Sequence, residues 1–248
     1  MKPQMTQASP AFVSHSAQTG SNYVIYADTP RDAAGPWNSV LLMDGDFFFD
    51  TAAAVARSLQ AEGRIGPTAL FGVGYGASFG KPGNFRGRDY THTASAEEPS
   101  SGGADRFLAY LTDTLWPELA GRHPISAGRS VIAGHSLGSL LVLHALFQPR
   151  PFFGGALASA PSIWWDNRSI LGRIASLRDA QDSLEGRLYL GCGADDSPSM
   201  TGDLVLMEGL LERRPFRGLQ VHSELFQGKD HYNVVPITVR VGLATLLN

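Results

Sequence analysis

The sequence carries the pattern Gly-x-Ser-x-Gly twice, a pattern in which many hydrolases present a nucleophilic serine. One copy centres on Ser78 and the other on Ser136. In a nucleophile elbow a strand runs into the serine and a helix leaves it directly, which exposes the hydroxyl at the turn. An apolar run, 130–136, leads into Ser136, and a segment of helical composition, 137–147, follows it. We therefore predict that Ser136 is the nucleophile.

Ser78 meets only the first of these two requirements. The strand-like run 68–75 precedes it, but the Lys-Pro-Gly-Asn segment 81–84 follows and does not begin a regular helix smoothly. The carboxyl ends of strands in an open parallel sheet form the ligand crevice. Ser78 is therefore interpreted either as a residue that lines the substrate cleft or as a solvated loop serine.

A serine hydroxyl attacks an ester only when a neighbouring base takes its proton. In hydrolases with this elbow the chain order is serine, acid, histidine, and the histidine follows the last strand. Of seven histidines, His231 lies in the loop behind the last predicted strand, 219–226, whereas His222 lies inside that strand. We predict His231 as the general base and interpret His222 as a core or sheet-face residue.

The acid that orients the base is expected in the loop after the preceding strand, 187–193. Asp195 and Asp196 occupy that loop, and either could accept the second ring N–H of the histidine. Asp196 is preferred, and the alternative is that both are solvated turn residues. Asp230 is too close to His231 along the chain to orient its ring.

Two backbone amides are expected to form the oxyanion hole. One belongs to Leu137, the residue after the nucleophile, and the other to Asp46, in the loop after the predicted strand 39–45. Asp44, Asp46 and Asp50 together raise the question of a metal site, but no clustered His or Cys accompanies them. We therefore expect neither a metal nor a cofactor.

The elements around these residues alternate between apolar strands and helices. An N-terminal hairpin is predicted, and six further strands separated by helices follow it. Such alternation is typical of a mostly parallel sheet covered by helices on both faces. The predicted strands are 12–16, 23–27, 39–45, 68–75, 130–136, 154–162, 187–193 and 219–226, and the helices are 51–63, 104–119, 137–147, 170–180, 203–214 and 235–248.

The predicted fold class is α/β, a three-layer α/β-hydrolase sandwich with an antiparallel N-terminal hairpin and no large cap. A chain of 248 residues fits a single domain, 1–248, of which about the first ten residues are expected to be disordered. The segment 76–103 is too long for a plain connection and is interpreted as functional surface.

Composition excludes several classes of function. The net charge is −3 without a basic block, which argues against nucleic acid or an anionic membrane as partner. The single cysteine, Cys192, permits no internal disulfide and is interpreted as a buried apolar residue. With no apolar segment long enough for a leader or a membrane span, a cytoplasmic protein is expected.

A family resemblance rests on six short motifs that occur in a characteristic order. The chain resembles the putative-esterase family of α/β-hydrolases, and within it the siderophore esterases that act on enterobactin, salmochelin and bacillibactin. Of the motifs that carry this resemblance, SAPSIWW is the most specific. The motifs are SNYVIYADTP (21–30), SVLLMDGDFFF (39–49), GRDYT (87–91), GHSLGS (134–139), SAPSIWW (159–165) and KDHYNVVP (229–236).

What the resemblance implies agrees with the assignment made from the residues themselves. It implies the same nucleophile, base, acid and oxyanion amides. It also places Arg88 and Trp165 in segments that line the family's substrate cleft. There an arginine could hold an anionic substrate and a tryptophan could stack on a catechol ring, or either could be structural.

The sequence thus predicts a serine esterase that acts on a small-molecule ester through an acyl-enzyme. A siderophore trilactone is one expected substrate, alongside simple short-acyl esters. The alternatives are a thioesterase or acyltransferase with the same residues, acting for example on S-formylglutathione, and a non-catalytic binding module. The oligomeric state does not follow from the sequence.

Overall fold

The computed structural model describes residues 4–31, 33–96 and 98–248, and an eight-stranded sheet forms its centre. The strands are β1 (Phe12–Ser16), β2 (Ser21–Asp28), β3 (Trp37–Met43), β4 (Thr68–Gly74), β5 (Ile125–His135), β6 (Gly155–Ser159), β7 (Ser183–Gly193) and β8 (Arg217–Phe226). The helices are α1 (Gly45–Ala61), α2 (Arg86–Asp89), α3 (Ala104–Tyr110), α4 (Trp116–Arg122), α5 (Leu137–Leu146), α6 (Trp165–Ala180), α7 (Pro198–Arg213) and α8 (Val235–Leu247).

The sheet is mixed, and its strand order is β1-β2-β4-β3-β5-β6-β7-β8. The β1–β2 hairpin and the β2–β4 pair are antiparallel, and every later pair is parallel. The predicted α/β class with an antiparallel N-terminal hairpin is confirmed. Strand β5 lies between β3 and β6, so the residue that follows it stands near the middle of the carboxyl edge of the sheet.

Two apolar clusters cover the two faces of the sheet. Helices α1 and α8 pack on one face, where Leu59 and Leu243 are each 1% exposed. Helices α3 to α7 cover the other face, where Leu143 and Met207 are fully buried. The strands between them are apolar on both sides, as expected for a sheet with helices on each face.

Several helices differ from the sequence-based expectation: α6 and α7 each begin five residues earlier than predicted, and α2 was not predicted. Helix α1 begins at Gly45 rather than at 51, because Asp44 adopts a left-handed conformation (φ 54°) that turns the chain directly from β3 into the helix. The predicted helix 104–119 is interrupted by a π-helical turn, Leu111–Leu115. Pro117 in the first turn of α4 has no N–H to donate to the preceding turn, which accounts for the irregularity.

Strand β8 also differs, because it is an edge strand rather than a buried one. Among the residues that the structure describes it pairs only with β7, and Val221 and Leu225 are 42% and 43% exposed. Its apolar composition resembles that of the central strands, but its place at the end of the sheet leaves it half uncovered.

The N-terminal segment contacts α1. The Thr6 amide donates to the Asp46 carbonyl (2.5 Å), and the Gln7 amide donates to Asp50 Oδ2 (2.6 Å). Of the ten residues expected to be disordered, the first three lie outside the described residues.

Candidate active site

Ser136 occupies a strained turn between β5 and α5. Its backbone has φ 57° and ψ −121°, a region that non-glycine residues rarely adopt. A Cβ on Gly134 would lie 2.5 Å from the Gly138 carbonyl, so the two glycines allow the close approach that the turn needs. This geometry turns the chain from strand to helix at the serine, as in a nucleophile elbow.

The Ser136 hydroxyl faces Ser162 in the described structure. The two Oγ atoms are 3.4 Å apart, and the Ser162 amide donates to the Ser136 carbonyl at 3.3 Å. Among the described residues no hydrogen bond joins Ser136 Oγ to His231. Catalytic hydrogen bonds are often long in unliganded enzymes and tighten when substrate binds.

His231 is hydrogen-bonded to one of the two candidate acids. Its Nδ1 lies 2.7 Å from Asp196 Oδ2, and the side chain of Asp196 is only 5% exposed. The other oxygen of Asp196 accepts the amide of Ser197 at 2.7 Å. Asp195, by contrast, is exposed. The structure therefore brings Asp196 to the histidine and leaves Asp195 in solvent.

The ring of His231 packs against the residue that precedes the serine. Its centroid is 4.6 Å from that of His135, and the Tyr232 ring stands edge-on to it at 5.0 Å. His135 is buried, and its Nδ1 lies 3.1 Å from Ser159 Oγ. Burial, with the nearby His231, holds the pKa of His135 well below its usual range, so this ring is a neutral packing partner.

The two backbone amides expected to form an oxyanion hole have no hydrogen-bond acceptor in the described chain. Neither the Asp46 nor the Leu137 N–H donates to a protein group there, and both stand in the first turn of a helix. The Asp46 carboxylate is buried and accepts hydrogen bonds from Tyr26 Oη (2.8 Å) and from the amides of Tyr75 (2.5 Å) and Gly76 (3.1 Å). Burial raises the pKa of this carboxyl despite those bonds.

Arg86, which the sequence did not single out, reaches the same end of the sheet. Its guanidinium makes a bidentate pair with Asp44, at 3.0 and 2.8 Å, and lies 4.5 Å from the centroid of the Phe79 ring. Asp44 is buried, and its Oδ2 stands 3.2 Å from where a Cβ on Gly138 would be. Asp44, Asp46 and Asp50 each bind protein donors rather than forming a cluster.

Arg88 points elsewhere and is held by protein groups. Its Nε donates to Asp89 Oδ1 at 2.7 Å, its Nη2 donates to Ser21 Oγ at 2.9 Å, and it stacks on Phe85. Asp89 is fully buried and also accepts from Tyr23 Oη. The guanidinium thus compensates a buried carboxylate.

The remaining predicted substrate residues are spread along the rim. Trp165 is 7% exposed and donates its indole N–H to Thr93 Oγ1 at 3.1 Å, whereas its neighbour Trp164 is 43% exposed. Ser78 is exposed in its loop. His222 stacks on Tyr189 on the face of β8 and does not approach the site.

An open cleft of about 320 Å³ is lined in part by Tyr232, the residue after His231. It lies between the first turns of α1 and α8 and beneath the N-terminal segment. Its lining is mixed. The apolar members are Met5, Phe47, Phe48, Tyr232, Val235 and Pro236, and the polar members are Gln4, Thr6, Gln7, Asp50 and Thr51.

Comparison with known proteins gives one family and several relatives. The family model described as "Putative esterase" matches residues 16–235. A siderophore enterobactin esterase of Emericella nidulans is 36% identical over 215 residues, which cover 80% of this chain and 66% of that protein. The ferri-bacillibactin esterase BesA of Bacillus subtilis is 30% identical over 250 residues, covering 91% of this chain and 84% of the relative. The chain thus spans just under two thirds of the fungal relative.

A solved structure, that of a BES protein from Bacillus cereus, has the same fold. It superposes with a TM-score of 0.85 at 26% identity and covers all of this chain and 99% of the other. Within the described residues, no helix combines the length and apolarity that crossing a membrane requires.

Proposed function

This chain belongs to the putative-esterase family, and from that premise we propose that it is a serine esterase which cleaves carboxylic esters through an acyl-enzyme on Ser136. The strained backbone of Ser136 at the β5–α5 junction is the observation that carries the proposal. A non-glycine residue is held at positive φ only where the surrounding structure over-determines it, and such positions cluster at active sites.

The proposed base is His231, and the proposed acid is Asp196. Because Nδ1 of the histidine is engaged by Asp196 at 2.7 Å, Nε2 is the nitrogen left to take the serine proton. Ser136 Oγ attacks the ester carbonyl carbon as its proton moves to His231. The protonated ring then gives that proton to the departing alkoxide, and a water molecule hydrolyses the acyl-enzyme by the same route.

The amides of Asp46 and Leu137 are the proposed donors to the oxyanion. Their lack of acceptors in the described chain supports this role, because a preorganised donor costs no reorganisation when charge develops. The bonds from Tyr26, Tyr75 and Gly76 to the Asp46 carboxylate fix the helix turn that carries one of the two amides.

For the substrate we propose an ester siderophore, of the trilactone class. Two relatives bear names that state activity on such molecules, enterobactin and bacillibactin. Of the cations in the segment 76–103, Arg86 and Arg88 are each paired with a buried carboxylate, that of Asp44 or Asp89. The names of the relatives, rather than unpaired positive charge, therefore support this substrate class.

Labelling with a fluorophosphonate tests the nucleophile without requiring the natural substrate. Intact mass of the folded wild-type protein should show one adduct, and peptide mapping should place it on Ser136. Ser136→Ala should prevent labelling, whereas the matched control Ser78→Ala, in the second Gly-x-Ser-x-Gly motif, should label like the wild type. Folded wild-type protein that takes no adduct, or Ser136→Ala protein that still takes one, would refute the assignment.

A substrate panel separates the proposed activity from its alternatives. A siderophore trilactone, a short-acyl p-nitrophenyl ester and S-formylglutathione would be compared at equal enzyme concentration, with and without an alcohol acceptor. We expect the highest kcat/KM on the trilactone and only free acid as the acyl product. New esters in the presence of the alcohol would identify an acyltransferase, and preference for the thioester would overturn the substrate class.

A further inference from the structure

The outer edge of β8 offers an unpaired strand ten residues long. Within the described residues β8 pairs with β7 alone, and the backbone of 220–225 makes no hydrogen bond outside that pairing. Proteins that stay monomeric usually protect such edges with Pro, Lys, bulges or a covering loop. Between Gly218 and Phe226 there is neither Pro nor Lys.

The opposite edge of the sheet is protected in a way that β8 is not. Strand β1 has only five residues, and the Arg122 guanidinium lies 4.4 Å from the centroid of its Phe12 ring. The two ends of the sheet therefore differ in how readily they would accept another strand.

The side chains of β8 fall into two sets, because alternate residues of a strand point to opposite faces. On one face Val221 and Leu225 are 42% and 43% exposed, and between them the Ser223 hydroxyl is buried without a hydrogen-bond partner. On the other face His222 and Glu224 are exposed or half-buried, with 3.8 Å between Nε2 and Oε2.

We propose that β8 is a homodimer interface, in which it pairs antiparallel with β8 of a second copy about a two-fold axis at Ser223. An axis perpendicular to the sheet keeps each face of one strand level with the same face of the other. Each odd-numbered residue then lies opposite an odd-numbered residue of the partner, and each even-numbered residue opposite an even-numbered one. The apolar face of one strand therefore continues into the apolar face of the other.

In this register every pair near the axis is complementary. Val221 lies opposite the partner's Leu225, so the exposed apolar side chains cover one another. His222 lies opposite the partner's Glu224, so that an imidazole meets a carboxylate across the axis as it does within one chain. Ser223 lies opposite the partner's Ser223, and these two small side chains leave the backbones free to pair at the axis.

Neighbouring positions of the axis lose these matches. An axis at His222 places two imidazoles against each other and sets Gln220 against the partner's Glu224. An axis at Val221 sets the apolar side chain of Leu225 against the charged side chain of the partner's Arg217. Self-complementarity in charge and shape therefore selects Ser223 as the centre.

The oligomeric state gives the first test. Sedimentation equilibrium of the full chain should yield twice the chain mass of 26.6 kDa at micromolar concentration. Val221→Lys places a charge in the apolar pair and should weaken the dimer at least 100-fold. The matched control Val205→Lys, on α7, replaces another exposed valine (61%) and should leave the dimer intact.

A cysteine on the axis tests the register itself. Ser223→Cys should form an intermolecular disulfide rapidly under copper phenanthroline, because its two copies face each other. Gln220→Cys, with copies far apart in this register, should not, and the wild type offers only buried Cys192. A wild-type monomer at 100 μM, or cross-linking of Gln220→Cys as fast as that of Ser223→Cys, would overturn the proposal.

Discussion

Asp196 and Asp195 are adjacent and chemically identical, yet only Asp196 reaches the imidazole of His231. If Asp196 holds the ring in the tautomer that leaves Nε2 free, Asp196→Asn should present the wrong hydrogen-bonding partner. We expect kcat to fall about 10³- to 10⁴-fold, because the ring is then held in the wrong tautomer, with KM little changed.

Asp195→Asn is the matched control for this substitution, because Asp195 is exposed and does not contact the ring. Its kcat should equal that of the wild type. Steady-state kinetics on one ester would measure both variants. Equal losses in the two, or no loss in Asp196→Asn, would show that the acid is not at Asp196 and would favour a serine–histidine dyad.

Cys192 lies beside the same carboxylate, with Sγ 3.8 Å from Asp196 Oδ2. Burial and the negative charge of Asp196 raise the pKa of the thiol to about 12. Because the thiolate is the reactive form, native protein at pH 8 should resist iodoacetamide, whereas urea-unfolded protein should be alkylated within minutes. Intact mass gives the result, and rapid alkylation of the native chain would contradict the assignment.

At the scale of single residues, the sequence predicts which kinds of side chain form the site better than it predicts which groups each of them contacts. Asp195 and Asp196 cannot be told apart by composition, because only the conformation of the loop after β7 decides which carboxylate turns inward. Arg86 and Arg88 are likewise separated by one residue, but on helix α2 they point to different sides. One reaches Asp44 and the other Asp89, and no pattern in the sequence distinguishes them.

Among the elements, the β5–α5 elbow makes the strictest demand on side-chain size. A Cβ on Gly134 would lie 2.5 Å from the backbone of Gly138, so Gly134→Ala must displace the start of α5. We expect Gly134→Ala to lower the free energy of unfolding by about 2 kcal/mol and to impair activity more than that loss explains.

Gly172 is the matched glycine, because it lies in α6 with no atom near its missing Cβ. Gly172→Ala should raise the free energy of unfolding by about 0.5–1 kcal/mol, since alanine favours the helix. Urea titration of both variants measures the difference. If both substitutions had the same sign, the tight elbow would not be the cause.

The sequence largely predicts which segments are strands and which are helices. It does not predict where a helix begins at a special backbone conformation or which strand lies at the edge of the sheet. Runs of apolar, β-branched residues located all eight strands, and the hairpin followed from its turn-rich middle. The start of α1 was missed because it depends on the left-handed Asp44 rather than on helical periodicity. The exposure of β8 was missed because edge position is a property of strand order, which the strand itself does not encode.

For the whole molecule, we propose that the chain folds as a single domain. The two apolar clusters share one sheet, and helices from both halves of the chain pack on it. Thermal unfolding followed by far-ultraviolet and near-ultraviolet circular dichroism should therefore give coincident transitions. Two separated transitions would show that the halves are independent.

Two histidines with lowered pKa, half-buried His92 and buried His135, should make the stability of the whole molecule depend on pH. Burial, with His144 and Arg173 nearby, lowers the pKa of His92 to about 4, and His135 is shifted in the same direction. The unfolded chain, with histidine pKa near 6.5, then binds more protons than the folded chain between about pH 4 and 6.5. The free energy of unfolding should therefore be fully present above pH 6.5 and decrease as the pH falls towards 4.

His92→Gln isolates one of these groups and can retain a hydrogen bond to Ser169 Oγ, which lies 2.9 Å from His92 Nε2. It should reduce proton uptake on unfolding by about one proton between pH 4 and 6.5. Urea titrations at several pH values measure this slope, and His15→Gln, at an exposed position, is the control. An unchanged slope in His92→Gln would refute the assignment.

The order of strands also bears on synthesis of the chain, which emerges from the ribosome N-terminus first. Strand β3 ends at Met43, but one of its two neighbours, β5, begins only at Ile125. Until that strand has emerged, β1, β2, β4 and β3 can pair only as a half-sheet with one apolar edge open. The elbow serine directly follows the strand that covers this open edge of β3, so a nascent chain gains its nucleophile in the same step that joins the half-sheet to the rest of the sheet.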